Sequence, residues 1–276
     1  MSFPPKKQTI ERALSEGTVR GLLKMRGFSG QTAQGWARLN CADLVVEDIP
    51  KLCDALRAQC EAYFASSPAT VRKLADCLGD VGAAGRRFRV LLSEGLEQQC
   101  RQAVLPRLRA GVGAVVAARP TYVLSPEDYA ALDAGDTPFA QLGAQVAQLA
   151  ADVAPLLSAA NADAVLLRAV AYAADKLERL VLQRRFNRLG ALQLDTDVRA
   201  FQQPLAALAR RPVRDACTRL AQIALFLGVD DPAEAPQLWA AGSGAGAPWR
   251  LAPAEVRRVL ALRTDFRPDQ LRRLVF

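Results

Sequence analysis

The sequence predicts an all-α protein, and three observations carry that reading. Apolar residues recur at steps of three and four through long runs, as they do where one stripe of a helix is buried. No stretch shows the alternation of β-branched and polar residues that a half-buried strand needs. Prolines and Ser-Pro pairs fall where helices would begin. No segment repeats at a fixed period, which counts against regular helical repeats.

In order, residues 4–27 read as a first helix carrying Ile10, Leu14, Val19, Leu22 and Leu23, followed by a Gly-containing turn. From Asp43, the residues Val45, Ile49, Leu52, Leu56, Cys60 and Phe64 share one face, and Pro50 is expected to kink or restart the helix. Ser67-Pro68 marks the next start, with Ser as cap and Pro in the first turn, where its missing donor is not needed. The longest stripe follows: Val71, Leu74, Leu78, Val81, Phe88, Leu91, Leu92, Leu96, Cys100 and Val104. Gly79, Gly82 and Gly85 each weaken it by up to about 1 kcal/mol relative to Ala, so a bend is expected there.

Residues 118–138 break the pattern, with Ser125-Pro126-Glu127-Asp128 capping a short helix that Gly135 and Pro138 end. Two antiparallel helices are expected next, from Phe139 to Leu157 and from Asp163 to about Leu189, with the turn at 158–161 between them. The chain is organised around Lys176 to Phe201, where one long helix meets a second helical run from Asp195 across Gly190. Beyond this seam Pro212, Pro232, Pro253 and Pro268 each open a short helix whose first-turn acids face its positive end. Residues 1–201 therefore read as an elongated helical-bundle rod domain, and residues 202–276 as a small compact C-terminal helical cap.

Composition narrows the function. With 51% hydrophobic residues over 276 positions there is ample material for a core, and the chain is not a disordered one. Histidine is absent, which removes the commonest general base and metal ligand, so Ser-His or Cys-His catalysis and His-built metal sites are excluded. The six cysteines form no CxxC pair; Cys53, Cys60, Cys77 and Cys100 fall on apolar stripes and read as reduced core thiols of a cytosolic protein. MSFPPKK leads into a polar helix and not the apolar core of a secretion signal. The longest weakly charged run, Val153 to Leu167, is interrupted by Pro155, Asn161 and Asp163 and falls short of a membrane span. Candidate acids such as Asp195 with Asp197, or Glu127 with Asp128, read as solvated helix-start residues. The GSGAG segment at 242–246 precedes no Lys-Ser/Thr and follows no strand, so it reads as a flexible loop and not a phosphate cradle.

The net charge of +8, from 36 basic against 28 acidic residues, suits an acidic partner without choosing among membrane, nucleic acid and protein. Arg210, Arg211 and Arg214 cluster at one helix start, where positive charge is unfavourable to the helix, so they read as a surface for an acidic partner or as a solvated patch. Asp265, Arg267, Arg272 and Arg273 are the other candidate partner contacts. Trp239 and Trp249 read as core anchors.

Three blocks carry a likeness to known proteins: RRFNRLGALQLDTDVRAF, RDACTRLAQIALFLGV and WRLAPAEVRRVLALRTDFRPDQLRRLVF. They resemble the C-terminal portion of the fourth-subunit family of the conserved oligomeric Golgi (COG) complex, and a weaker likeness runs back through RRFRVLLSEGL to LNCADLVVEDI. The resemblance implies a helical-rod tethering protein of the CATCHR class, represented here by its last two domains. It implies partners among other COG subunits, SNAREs and their regulators during retrograde transport within the Golgi. It also implies peripheral association with the cytoplasmic face of the Golgi membrane. No catalytic step, cofactor, small-molecule substrate or nucleic acid is implied. The family has an Arg and a Glu where this chain has Arg219 and Glu255, so a salt bridge tying two helices of the cap is expected. The competing partner for Arg219 is Asp215, one turn earlier on the same helix. Family members carry Thr where this chain has Ala252, so the capping box with Glu255 is expected to be lost and Glu255 freer to turn towards Arg219. The reading from a different class is a basic helical adaptor binding anionic membrane or nucleic acid directly; it needs a dense basic stripe with interleaved aromatics, and the 6% aromatic residues are spread along helical stripes.

Overall fold

The computed structural model describes residues 30–64, 67–132, 137–206, 208, 214–244 and 249–276. The helix expected over 4–27 lies outside the described residues, as do Arg210, Arg211, the side chain of Arg214 and loop residues 245–248. The fold is all-α: among the described residues helices are joined by turns, and the only bridged extended residues are Tyr122, Phe186 and Arg263.

The chain divides into two compact units. One holds the described residues up to Val104 together with Ala150–Val165. Here α1 (Gly30–Tyr63) pairs with α2 (Pro68–Gln99). Helix α1 runs on through Pro50 instead of restarting there; Pro50 is exposed, so water can serve the carbonyl it leaves without a donor. Helix α2 likewise continues through Gly79, Gly82 and Gly85, and the irregularity comes later, as a π-helical turn over Cys100–Val104. Pro106 accounts for that turn, because it lacks the N–H that would serve the carbonyl one turn back. The 3₁₀ turn Ala154–Leu156 and the residues after it are fastened to α1. Asn40 donates its amide to the Leu156 carbonyl at 2.9 Å and accepts from the Ser158 N–H at 2.9 Å, and Asn161 reaches the Leu39 carbonyl at 3.4 Å. Of the cysteines on the apolar stripes, Cys53 and Cys100 are buried, whereas Cys77 is exposed, because its neighbour Leu78 takes the inward position.

The second unit holds Leu105–Leu149 and Leu166–Phe276. Its helices are α3 (Leu105–Ala118), α4 (Pro126–Leu132), α5 (Pro138–Val153, to Leu149 in this unit), α6 (Ala159–Leu182, from Leu166), α7 (Arg188–Ala206), α8 (Arg214–Leu227), α9 (Glu234–Gly244), α10 (Pro253–Leu260) and α11 (Pro268–Arg272). Its core includes Leu108, Tyr122, Phe139, Leu177, Phe186, Phe201, Phe226 and Leu260, all fully buried. Burying a side chain of this size stabilises by about 1.5–3 kcal/mol. Burial also pushes the Cys217 thiol up to about 11, which keeps it protonated and inert. Residues 242–244 close helix α9, where a loop was expected, and the Trp249 ring lies against Gly242: a Cβ there would stand 2.3 Å from it.

The seam around Gly190 differs from the sequence expectation. Helix α6 stops at Leu182, not near Leu189, and α7 begins at Arg188, not Asp195. Between them Phe186 is extended and held on both sides. Its N–H donates to the Leu262 carbonyl at 3.0 Å, its carbonyl accepts from the Thr264 N–H at 2.8 Å, and the Asn187 N–H donates to the Tyr122 carbonyl at 3.3 Å. The Asn187 side chain exchanges bonds with Leu124 and accepts the Gly190 N–H at 2.9 Å, which caps α7. A Cβ on Gly190 would fall 1.6 Å from the Tyr122 carbonyl oxygen, so only glycine lets the two segments meet.

Gly190→Ala is therefore expected to destabilise the protein by about 3 kcal/mol. Gly113, over which a Cβ meets nothing within 4 Å, is the control: Gly113→Ala should raise stability by about 0.5–1 kcal/mol. Urea denaturation of both variants checks this, and similar small effects at the two positions would rule the junction out as a constraint.

Candidate functional site

Charged side chains of the second unit gather at three places. The most enclosed is on α7. Asp197 is fully buried, and its carboxylate accepts from four donors. Tyr122 donates its hydroxyl at 2.9 Å, Gln193 its amide at 3.0 Å, and Arg119 reaches it through Nε at 3.3 Å and Nη2 at 3.4 Å. Burial first, and the Asp197 charge second, push the Tyr122 phenol far above its ordinary range, so it remains a donor. This corrects the reading of Asp197 as a solvated helix-start residue. Its signal was in the sequence: Asp197 follows Leu194 by three and precedes Phe201 by four, which places it on the buried stripe. Asp195 does face water and pairs with Arg199 one turn on at 2.7 Å. Asp128 bonds the Ser125 hydroxyl at 2.9 Å and its own N–H bonds the same oxygen, so it acts as a cap for α4.

The second cluster ties α8 to α10 and α6. Arg219 is half-buried and spends every guanidinium nitrogen. Its Nε donates to Glu178 at 2.7 Å, Nη2 to Glu255 Oε1 at 2.6 Å, and Nη1 to Glu255 Oε2 at 3.3 Å and to the Arg250 carbonyl at 2.9 Å. The geometry therefore favours the bridge between helices over Asp215. Glu178 escaped the sequence reading, since nothing in its local spacing distinguishes it from the exposed acids around it. Glu255 keeps half of a capping box all the same, accepting the Ala252 N–H at 2.8 Å, so it caps α10 and binds Arg219 at once. The Arg219 guanidinium, and after it the Ala252 N–H, hold the Glu255 carboxyl below its ordinary range.

Arg263 forms the third cluster. It is buried, and it donates to the Leu227 and Val229 carbonyls at the end of α8, to Asp265 through Nε at 2.8 Å and Nη2 at 2.6 Å, and lies over the Phe266 ring at 4.3 Å. Both Asp265 oxygens are thus held by Arg263, which depresses the Asp265 carboxyl. Arg267, Arg272 and Arg273 are exposed, with Arg272 3.7 Å from Asp269. Trp249 packs on Phe226 at 5.1 Å and donates its indole N–H to the Trp239 carbonyl, while Trp239 meets Phe276 edge-on at 6.4 Å. Among the described residues no group of three metal-ligating side chains occurs, and no helix is long and apolar enough to cross a membrane.

The sequence profile of the family described as conserved oligomeric Golgi complex subunit 4, C-terminal, matches residues 37–258. The chain is 36% identical over 233 residues to the conserved oligomeric Golgi complex subunit 4 of Arabidopsis thaliana, covering 84% of this chain and 31% of that protein. It is 32% identical over 244 residues to the subunit 4 of Homo sapiens, covering 86% and 30%. Against that of Drosophila melanogaster it is 30% identical over 267 residues, covering 96% and 34%. The matched segment is thus about a third of the length of these relatives.

Two stability measurements separate these clusters. Asp197→Ala leaves the buried Arg119 without its counter-charge and is expected to destabilise by about 3–5 kcal/mol in urea melts, whereas Arg119→Met with Asp197→Leu should recover only part of that loss, since the Tyr122 hydroxyl and the Gln193 amide lose their acceptor. Arg219→Ala, discounted for the third of its side chain left in water, is expected to cost about 1.5 kcal/mol and lower the melting temperature by about 3–6 °C. Because Glu255 titrates lower in the folded chain, its contribution is present above the ordinary value of 4.5 and fades as pH falls through the depressed one. Glu255→Gln should therefore flatten the acid limb of the melting curve, and an unchanged limb would exclude the bridge.

Proposed function

The chain belongs to the conserved oligomeric Golgi complex subunit 4 C-terminal family, and from that premise we propose that it serves as a protein-interaction scaffold in vesicle tethering. In this reading it binds other subunits of the complex, together with SNAREs and their regulators, and acts in retrograde transport within the Golgi. It works as a peripheral component on the cytoplasmic face of the Golgi membrane, held there through the complex. It carries no catalytic step and uses no cofactor.

The observation that carries the reading is the family match across residues 37–258. The geometry supports it: Asp197, Arg119, Arg263 and Arg219 are consumed in fastening segments to one another, which suits a rigid support whose outer surfaces do the recognising. We assign the outer contacts to the exposed Arg267, Arg272 and Arg273 at the two ends of α11, with Arg210, Arg211 and Arg214 as a second basic group. The division into a bundle to residue 201 and a cap from 202 belongs to the same proposal, the cap being the end that meets partners.

Pull-down of the full chain against the other subunits of the complex tests this. Capture is expected, and Arg267→Glu/Arg272→Glu/Arg273→Glu should weaken it about tenfold at an unchanged melting temperature. Failure of every subunit to bind, with salt-sensitive binding to anionic vesicles or nucleic acid in its place, would overturn the proposal.

A further inference from the structure

Helices α1 and α2 enclose a groove of about 490 Å³ that none of the three clusters above, nor the proposed partner surface, uses. Its apolar lining includes Val46, Ile49, Pro50 and Leu78. The opening comes from two of the four glycines of α2, Gly79 and Gly82. A Cβ on Gly85 would meet Ile49 at 3.0 Å, so Gly85 is consumed by the contact between the helices. A Cβ on Gly79 would meet nothing within 4 Å, and one on Gly82 would meet only the Arg86 guanidinium at 3.8 Å. These two positions leave space, and Arg86 leans over it.

The rim is charged and uncompensated on one wall. Arg57, on α1, is paired with Asp54 at 3.1 Å. Arg86 and Arg89 line the α2 wall, and among the described residues no ion pair reaches them or the adjacent Arg87. From Val81 to Leu92 the helix carries these three arginines and no acid. Like charges one turn apart repel, and an acidic occupant would relieve that. A bilayer surface is flat and does not enter a concave slot, and among the described residues no aromatic side chain lines the groove on which the bases of a nucleic acid could stack.

We propose that this groove docks an acidic amphipathic helix of a partner protein, its apolar side on Ile49 and Leu78 and its carboxylates on Arg86 and Arg89. The site lies within one unit and its test is read on the chain alone, so it stands or falls separately from the subunit contacts proposed above.

The probe is a fluorescent amphipathic peptide of about 18 residues, five helical turns, with leucines every three to four positions and glutamates on both flanks. Its twin carries lysines in place of the glutamates, and phosphatidylcholine–phosphatidylserine vesicles form the third arm. By anisotropy, the glutamate peptide is expected to bind at least about tenfold more tightly than its twin. Gly82→Leu, which fills the groove, and Arg86→Glu/Arg89→Glu should each weaken it about tenfold. Gly82→Leu should melt no lower than the parent, since it replaces a helix-weakening glycine over open space. Equal binding of the two peptides, unchanged binding to folded Gly82→Leu, or binding of vesicles but not of the glutamate peptide through the same arginines would overturn the proposal.

Discussion

The extended backbone at Phe186 is the constraint on which the second unit depends. Tyr122 and Phe186 are fully buried and their rings stack at 4.9 Å, so the peptide groups between helices cannot turn to water for their hydrogen bonds. They find them in one another: Phe186 with Leu262 and Thr264, Asn187 with Tyr122. Three chain segments that would otherwise be loops become a short pleated layer inside an all-helical protein. The helices on either side must end where that layer begins, which is why α6 stops at Leu182 and α7 starts at Arg188.

The ionic groups around this layer differ in what surrounds them, and that sets their weight. Asp197 and Arg119 sit where water does not reach, so their attraction repays the desolvation only because Tyr122 and Gln193 complete the carboxylate's hydrogen bonds. Arg263 offsets its own burial by serving two backbone carbonyls as well as Asp265. Arg219 is the milder case. It remains partly in water, and its contribution comes from a planar fork that meets two glutamates from different helices.

Much of the fold could be read from periodicity, because a buried helical stripe writes itself into the sequence every three or four residues. Leu142, Val146, Leu149 and Val153 are buried as their spacing requires, and so are Val170, Leu177 and Leu180. Periodicity is silent where long-range pairing overrides it. Leu189 continues the apolar rhythm past Phe186, yet the helix has already ended, and the reason lies near residue 263. The π-helical turn had a local signal in Pro106, and Asp197 had one in its place on the apolar stripe. Glu178 had none, since only the tertiary arrangement brings it to Arg219. The exposed basic residues illustrate the opposite limit: composition indicates that they are there, and not what they meet.

The junction also sets a timetable for synthesis. Phe186 is separated from its partner Thr264 by 78 positions, and Asn187 from Leu124 by 63. A chain leaving the ribosome can complete the nearer pairing first, whereas Phe186 waits with one edge open until residues 262–264 have been made.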